Sequence, residues 1–180
     1  FHSFCVQVLR SYIHIIDYNP SFTIYDRSDQ LSLVKKIFKE LHYDTKTYSP
    51  QAFLSTINSA KIHGVSPAEF LKEAVHSIDK KNAEVYKLYE QRMKEANALD
   101  FDDLLIKTIQ IFEKNSEVLE FYQTELKYIM VDEYQDTSET QYKLIHLLAS
   151  GHRNLCVVGD EDQSIYSWRG ANIENILSFE

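Results

Sequence analysis

Two short apolar runs in the last third of the chain each end on acidic residues. The runs are YIMVDE, residues 128–133, and LCVVGDED, residues 155–162. Short runs of this kind, separated by a helical pattern, are typical of buried strands in a parallel α/β sheet. In such sheets the ligand site lies beyond the carboxyl ends of the strands. The pattern therefore predicts an α/β fold with an acidic site at one edge of the sheet.

The acids at the strand ends indicate a bound cation. Closely spaced carboxylates repel each other, and a cation is their natural partner. In phosphoryl transfer one carboxylate holds a Mg²⁺-bound water and the next orients the attacking water, roles that suit Asp132 and Glu133. A metal-dependent nuclease that uses Asp132, Glu133, Asp160 and Asp162 is one alternative. The other is structural, because solvated acids also stabilise helix N-termini.

The residues after the second run suit single-stranded nucleic acid. Gln163, Tyr166, Trp168 and Arg169 lie within seven residues, and Trp168 is the only tryptophan of the chain. Bases stack on aromatic rings, and a guanidinium group binds phosphates or bases. We therefore expect the two aromatic side chains and Arg169 to contact single-stranded DNA. A packing role for Tyr166 and Trp168 is the alternative.

The rest of the pattern predicts helices. Ser66-Pro67 followed by Glu69 is a capping box, in which the serine and glutamate side chains satisfy backbone N–H groups at the helix start. In the first part of the chain we expect a helix over 1–16, a short strand or extended connection at 22–26, and only helices between 28 and 97, one of which begins at Ser49-Pro50. In the second part we expect helices that begin at Asp100, at Ser116, at about Ser138 and near Asn172. The expected strands of this part are 128–131 and 155–158.

The charge distribution divides the chain into two parts. The net charge of -8 by itself argues against nucleic acid, because phosphate binding depends on lysine and arginine. Residues 27–97 nevertheless hold 12 lysines and arginines against 9 acids, whereas the remainder holds 7 against 18. A mildly basic, helical middle part is thus joined to an acidic α/β part.

Membrane and metal-cluster signals are missing from the sequence. No apolar run approaches the roughly 20 residues that span a bilayer, and the start of the chain does not read as a signal peptide. These features predict a cytoplasmic protein without a membrane partner. Cys5 and Cys156 have no metal-binding spacing, so we expect reduced thiols buried in the core.

Four segments resemble the superfamily 1A DNA helicases, the UvrD/Rep/PcrA family. VDEYQDTSETQY and VVGDEDQSIYSWRGANIENILSFE are similar to motifs II and III, FHSFCVQVLR to a Thr-Phe-His-Ser-Phe segment, and LDFDDLL to a further motif. The resemblance covers essentially the whole chain. It implies a partial RecA-like P-loop NTPase domain with a parallel sheet, which carries a mainly α-helical inserted subdomain. The implied division is an N-terminal helix of the RecA-like domain at 1–19, the inserted subdomain at 20–99, and the RecA-like segment with motifs II and III at 100–180.

The resemblance also implies a role for each matching residue. Asp132 would coordinate Mg²⁺ through water, Glu133 would be the general base, and Gln163 would sense the γ-phosphate of ATP. The residues implied to hold single-stranded DNA are Tyr166, Trp168 and Arg169, with Phe1 and His2 near the same path. For His2 a core or capping role is the alternative.

The implied activity is that of an ATP-dependent 3′-to-5′ DNA helicase. Its cofactors would be ATP and Mg²⁺, and its partners single-stranded DNA, junctions of single- and double-stranded DNA, and the remaining helicase domains of the same chain. None of the four glycines precedes Lys-Ser or Lys-Thr, so the Walker A motif is absent. We therefore expect an internal part of a longer helicase that does not hydrolyse ATP alone. An isolated helical module that binds DNA or a protein partner is the alternative.

Overall fold

The computed structural model describes residues 1–160, which form eight α-helices, four short strands and two 3₁₀ turns. The α-helices are α1 (His2–Tyr12), α2 (Arg27–Glu40), α3 (Pro50–Ile62), α4 (Pro67–Glu73), α5 (Ser77–Glu95), α6 (Phe101–Lys114), α7 (Ser116–Glu125) and α8 (Glu139–Ala149). The strands are β1 (Thr23–Ile24), β2 (Ala98–Leu99), β3 (Ile129–Val131) and β4 (Leu155–Val157), and the 3₁₀ turns are Ile13–Ile16 and Tyr134–Asp136. The predicted helix near Asn172 lies outside the described residues.

Local capping chemistry explains where the helices begin. The predicted capping box is confirmed, since Ser66 accepts from the Glu69 N–H and the Glu69 carboxylate accepts from the Ser66 N–H. Asp100 and Asp103 form the same reciprocal pair at the start of α6. Helices α6, α7 and α8 begin at or one residue after the predicted positions, because Asp100, Asn115 and Ser138 each cap the helix that follows.

Two small parallel sheets join segments that are far apart in the sequence. β1 pairs with β2 in the register Thr23↔Ala98, and β3 pairs with β4 in the register Met130↔Cys156. The sequence predicted β3 and β4, and a short strand or extended connection where β1 lies, but it did not predict β2, since two residues are too few to display the alternation that identifies a strand. The described fold is thus mostly helical with small parallel sheets.

Buried apolar side chains form two large separate clusters. The first gathers α1, α6, α7 and α8 around residues such as Leu9, Ile13, Leu104 and Phe112. The second lies among α2, α3 and α5, which we call the helical unit together with α4, and is built on residues such as Val34, Phe38 and Tyr89. Within residues 1–160 no helix is long and apolar enough to cross a membrane.

The prediction that β3 and β4 are buried strands is wrong for one face of their sheet. Val131 is buried beside Ile145 and Tyr134, whereas Met130 is 77% exposed and Tyr128 is 79% exposed. Successive side chains of a strand point to opposite faces, and only one face of this sheet is covered by an element among residues 1–160. For the same reason Cys156, the register partner of Met130, is exposed, which corrects the prediction of a core thiol; Cys5 is buried as predicted.

Candidate functional site

The ends of β3 and β4 lie side by side, as the sequence predicts. The Val158 N–H donates to the Val131 carbonyl at 2.8 Å, which extends the pairing to the last residue of β3. Asp132 and Glu133 follow β3 directly, and Asp160 follows β4 after two residues. The three carboxylates therefore leave the same edge of the sheet, and all three residues are exposed.

Gln135 joins the two strand ends. Its Nε2 donates to Glu133 Oε2 at 2.7 Å, and its Oε1 accepts from the Asp160 N–H at 3.0 Å. The Gln135 side chain is buried, with 1% of the residue exposed, whereas its partners Glu133 and Asp160 are exposed. Gln135 thus fixes the direction of the Glu133 carboxylate. Sequence reasoning missed this role, although an amide two residues after Glu133, in a motif that ends a strand, was the available signal.

The backbone at Glu133 is held in an unusual conformation. Its φ of 52° and ψ of 45° lie in the left-handed region, which a residue other than glycine seldom adopts. Asp132 Oδ1 accepts from the Glu133 N–H at 3.0 Å and supports this turn. Backbone conformations of this kind concentrate at functional sites, where the surrounding structure maintains them.

The acids do not form a closed metal site by themselves. Within residues 1–160 no three side chains of histidine, cysteine, aspartate or glutamate gather closely enough to hold a metal ion. Mg²⁺ in nucleotide enzymes, however, takes only one or two carboxylates and completes its shell with water and phosphates. One exposed carboxylate on Asp132, whose Oδ2 accepts no hydrogen bond within residues 1–160, fits that requirement.

A cleft of about 1020 Å³ separates the helical unit from α1, α6 and the start of α8. His2 and Phe101 lie on its wall, with their ring centroids 5.8 Å apart in an edge-to-face arrangement. Phe1 is 42% exposed and is not among the cleft-lining residues. The structure therefore brings His2, one of the two predicted residues at the N-terminus, into a cleft together with Phe101, which the sequence analysis did not select. The available signal for Phe101 was its place in the LDFDDLL segment, which resembles a helicase motif.

The cleft wall carries little positive charge. Asp102 lines it, and burial together with the Asp100 charge raises the pKa of Asp102 to about 6. Burial lowers the pKa of His2, so this imidazole is held neutral more readily. Among the described residues that line the cleft, Arg27 is the one lysine or arginine. The cleft therefore offers aromatic and hydrogen-bonding surface with little positive charge.

The remaining predicted site residues are not part of the described structure. Gln163, Tyr166, Trp168 and Arg169 all lie outside residues 1–160, so their predicted contacts with the γ-phosphate and with DNA stay predictions.

Comparison with known proteins identifies the family. The family model described as the UvrD/REP helicase N-terminal domain matches residues 1–180. The chain is 51% identical over 180 residues to the ATP-dependent DNA helicase PcrA of Bacillus subtilis, which covers all of this chain and 24% of that protein. It is 49% identical to PcrA of Staphylococcus aureus and 48% identical to PcrA of Staphylococcus epidermidis, again over the whole chain and 25% of each relative. The chain thus spans about a quarter of the length of these relatives, and it belongs to the UvrD/REP helicase N-terminal domain family.

Proposed function

We propose that the chain is part of an ATP-dependent DNA helicase that couples ATP hydrolysis to 3′-to-5′ movement on single-stranded DNA and to duplex unwinding. The observation that carries the proposal is the pair of acidic strand ends joined through Gln135. This arrangement suits nucleotide chemistry at the edge of a parallel, RecA-like sheet. The family membership and the PcrA relatives support the same activity.

The proposed roles follow from the chemistry of the strand ends. Asp132 would hold Mg²⁺ through water, and the ion would supply positive charge that offsets the charge of the ATP phosphates. Glu133 accepts the proton of the attacking water, and Gln135 keeps its carboxylate aimed at that position. Gln163 would contact the γ-phosphate of ATP. In this proposal the buried amide of Gln135 fixes the orientation of the Glu133 carboxylate, although Glu133 itself is exposed.

The DNA path in this proposal uses Tyr166, Trp168 and Arg169, with His2 on the cleft wall and Phe1 nearby. Phe101 adds a second ring beside His2. Stacking of a base on an aromatic side chain contributes about 1–3 kcal/mol and does not require a cation. A cleft with aromatic residues and one arginine therefore suits the bases of single-stranded DNA at a junction, while Arg169 supplies a contact to phosphate.

The two alternative functions have less support. A metal-dependent nuclease would use Asp132, Glu133, Asp160 and Asp162, of which Asp162 lies outside the described residues, and the three described carboxylates do not gather into a metal-binding group. An independent helical binding module would need the helical unit to act alone. Instead, Lys61 of this unit forms buried ion pairs with Asp100 and Asp103, and Thr140 of α8 donates to the Ile62 carbonyl. These contacts favour joint action of the helical unit and the α/β part.

Tryptophan fluorescence tests DNA binding by this chain. Because Trp168 is the only tryptophan, we expect saturable quenching on titration with oligo(dT), weaker at higher salt, and no signal from Trp168→Phe. Arg169→Gln should weaken binding and reduce the salt dependence, whereas Lys80→Gln, at an exposed lysine of α5, should leave both unchanged. Unaltered fluorescence in a folded sample would contradict the assignment of Trp168 to the DNA path.

An ATPase assay tests the second part of the proposal. The sequence contains no Walker A motif, whose backbone amides and lysine bind the phosphates. We expect the 180-residue chain to hydrolyse ATP at the background rate, with or without single-stranded DNA. Robust DNA-stimulated hydrolysis that is lost in Glu133→Gln would show that this chain assembles a complete site.

A further inference from the structure

A buried lysine connects the helical unit to α6. Lys61, in the last turn of α3, places its Nζ 2.6 Å from Asp100 Oδ2, 2.9 Å from Asp103 Oδ1 and 3.3 Å from Glu90 Oε1. The side chains of Lys61, Asp100 and Asp103 are each at most 3% exposed. Tyr89 of α5 donates a further hydrogen bond to Asp100 Oδ2 at 3.0 Å. One ammonium group thus contacts carboxylates from α5 and from the start of α6.

The charges around Lys61 keep it ionised. Asp103, Asp100 and Glu90 together raise its pKa well above the ordinary value, although burial opposes them. Burial raises the pKa of Asp103 to about 6, whereas Lys61 holds the pKa of Asp100 below its ordinary value. The Lys61 ammonium group therefore stays protonated, and the carboxylates of Asp100, Asp103 and Glu90 surround it.

The carboxylates that Lys61 binds are also the two that begin α6. Asp100 Oδ1 accepts from the Asp103 N–H at 2.9 Å, and Asp103 Oδ2 accepts from the Asp100 N–H at 3.2 Å. Phe101 and Asp102 are the two residues between these caps, and both line the cleft. Any displacement of Asp100 and Asp103 relative to α3 therefore displaces the part of the cleft wall that packs against His2.

We infer that Lys61 is a positioning residue, which sets the place of Phe101 and Asp102 on the cleft wall by holding the two capping carboxylates of α6 against the helical unit. A movement of the helical unit would therefore displace Asp100 and Asp103 through Lys61, and with them Phe101 and Asp102 on the cleft wall. The inference goes beyond the proposed function and holds whether or not DNA occupies the cleft, so the two can fail separately.

The His2 imidazole resonances report the position of Phe101, because the two rings are edge-to-face at 5.8 Å. We expect Lys61→Met to move these resonances near neutral pH and to speed amide hydrogen exchange in the first turn of α6, with exchange around Val34 unchanged. Lys80→Met, at an exposed lysine, should alter neither. His2→Gln identifies the signal among the seven histidines. Lower stability with unmoved His2 resonances would overturn the inference, since Lys61 would then only stabilise the fold.

A second pair of variants keeps the test decisive if Lys61→Met does not fold. Asp103→Asn neutralises a carboxylate on α6, and Glu90→Gln neutralises the one on α5, so both reduce the charge facing Lys61 equally. Only Asp103→Asn changes the ion pair between Lys61 and α6. We expect Asp103→Asn to move the His2 resonances and Glu90→Gln to leave them in place. Equal movement in both variants, or movement in neither, would overturn the inference.

Discussion

At the scale of single residues, the site depends on a buried amide that carries no charge. Glu133 and Asp132 were selected from the sequence because acids at a strand end are conspicuous. Gln135 was not, since an amide in the same motif has no distinctive chemistry until its partners are known. The structure supplies them, because Gln135 donates to Glu133 and accepts from the backbone of Asp160.

Replacement of Gln135 by methionine tests this role. The variant keeps a similar shape and loses both hydrogen bonds, one of them to a carboxylate, from a position that is 1% exposed. We expect the free energy of unfolding to fall by about 1–3 kcal/mol, measured by urea denaturation. Amide exchange at Asp160 should also become faster. Gln7→Met, at an exposed residue of α1, is the matched control, and equal stability of the two variants would contradict the bridging role.

Asp102 gives the fold a pH dependence with a definite sign. Its pKa is raised from 3.8 to about 6, so the folded state holds this proton more tightly than the unfolded state. The stabilisation is complete below about pH 4 and is lost as the pH rises through about 6. In Asp102→Asn we expect a smaller fall in unfolding free energy between about pH 4 and pH 6, while Asp17→Asn, at an exposed aspartate, should follow the unaltered protein. Parallel pH profiles for Asp102→Asn and the unaltered protein would contradict the prediction.

At the scale of elements, local signals were sufficient for most helices and insufficient for the sheets. Capping residues such as Ser66 and Asp100 determine a helix start within a few positions, so the sequence alone identifies them. β2 has two residues, and its existence depends on a partner strand some 75 positions earlier in the register Thr23↔Ala98. The exposure of Met130 likewise depends on what covers the sheet. Neither property is encoded locally.

The contact between α7 and the end of α8 provides an element-scale prediction. A Cβ at Gly151 would lie 2.8 Å from Gln123 Oε1, and Gln123 is held by hydrogen bonds to the Leu147 carbonyl and Ser150 Oγ. Gly151→Ala must displace this amide, and we expect a loss of about 1–2 kcal/mol in unfolding free energy.

A double-mutant cycle separates this clash from a general effect of added methyl groups. In a Gln123→Ala background the cost of Gly151→Ala should largely disappear, because the displaced amide is gone. Gly64→Ala is the control, since a Cβ there meets no atom within 4 Å and the cost arises from a φ of +69°. That cost should be the same in both backgrounds. An undiminished Gly151→Ala cost without Gln123 would contradict the mechanism.

At the scale of the whole molecule, two hydrophobic cores are joined by a charged contact. The sequence divided the chain by charge, and the helical unit with its own core agrees with a mainly helical middle part. It did not predict how the parts meet. Lys61 follows Ile57 on the buried face of α3, where a lysine breaks the apolar pattern, and only the fold brings Asp100 and Asp103 to it. Long-range pairing of this kind has no local signature.

Removal of Lys61 should therefore destabilise the whole chain in a pH-dependent manner. Lys61→Met leaves two carboxylates buried without a cation, and breaking such a pair costs about 3–5 kcal/mol. Without the ammonium group the folded-state pKa values of Asp100 and Asp103 rise, so the variant takes up protons on folding and regains stability as the pH falls.

We expect the deficit relative to the unaltered chain, measured by urea denaturation, to shrink between about pH 7 and about pH 5. Addition of Asp103→Asn should recover part of the stability near neutral pH, because one uncompensated carboxylate is removed. A deficit that is constant with pH and unaffected by Asp103→Asn would mean that Lys61 contributes through the packing of its methylene groups. The two cores would then be joined by apolar contact and not by charge.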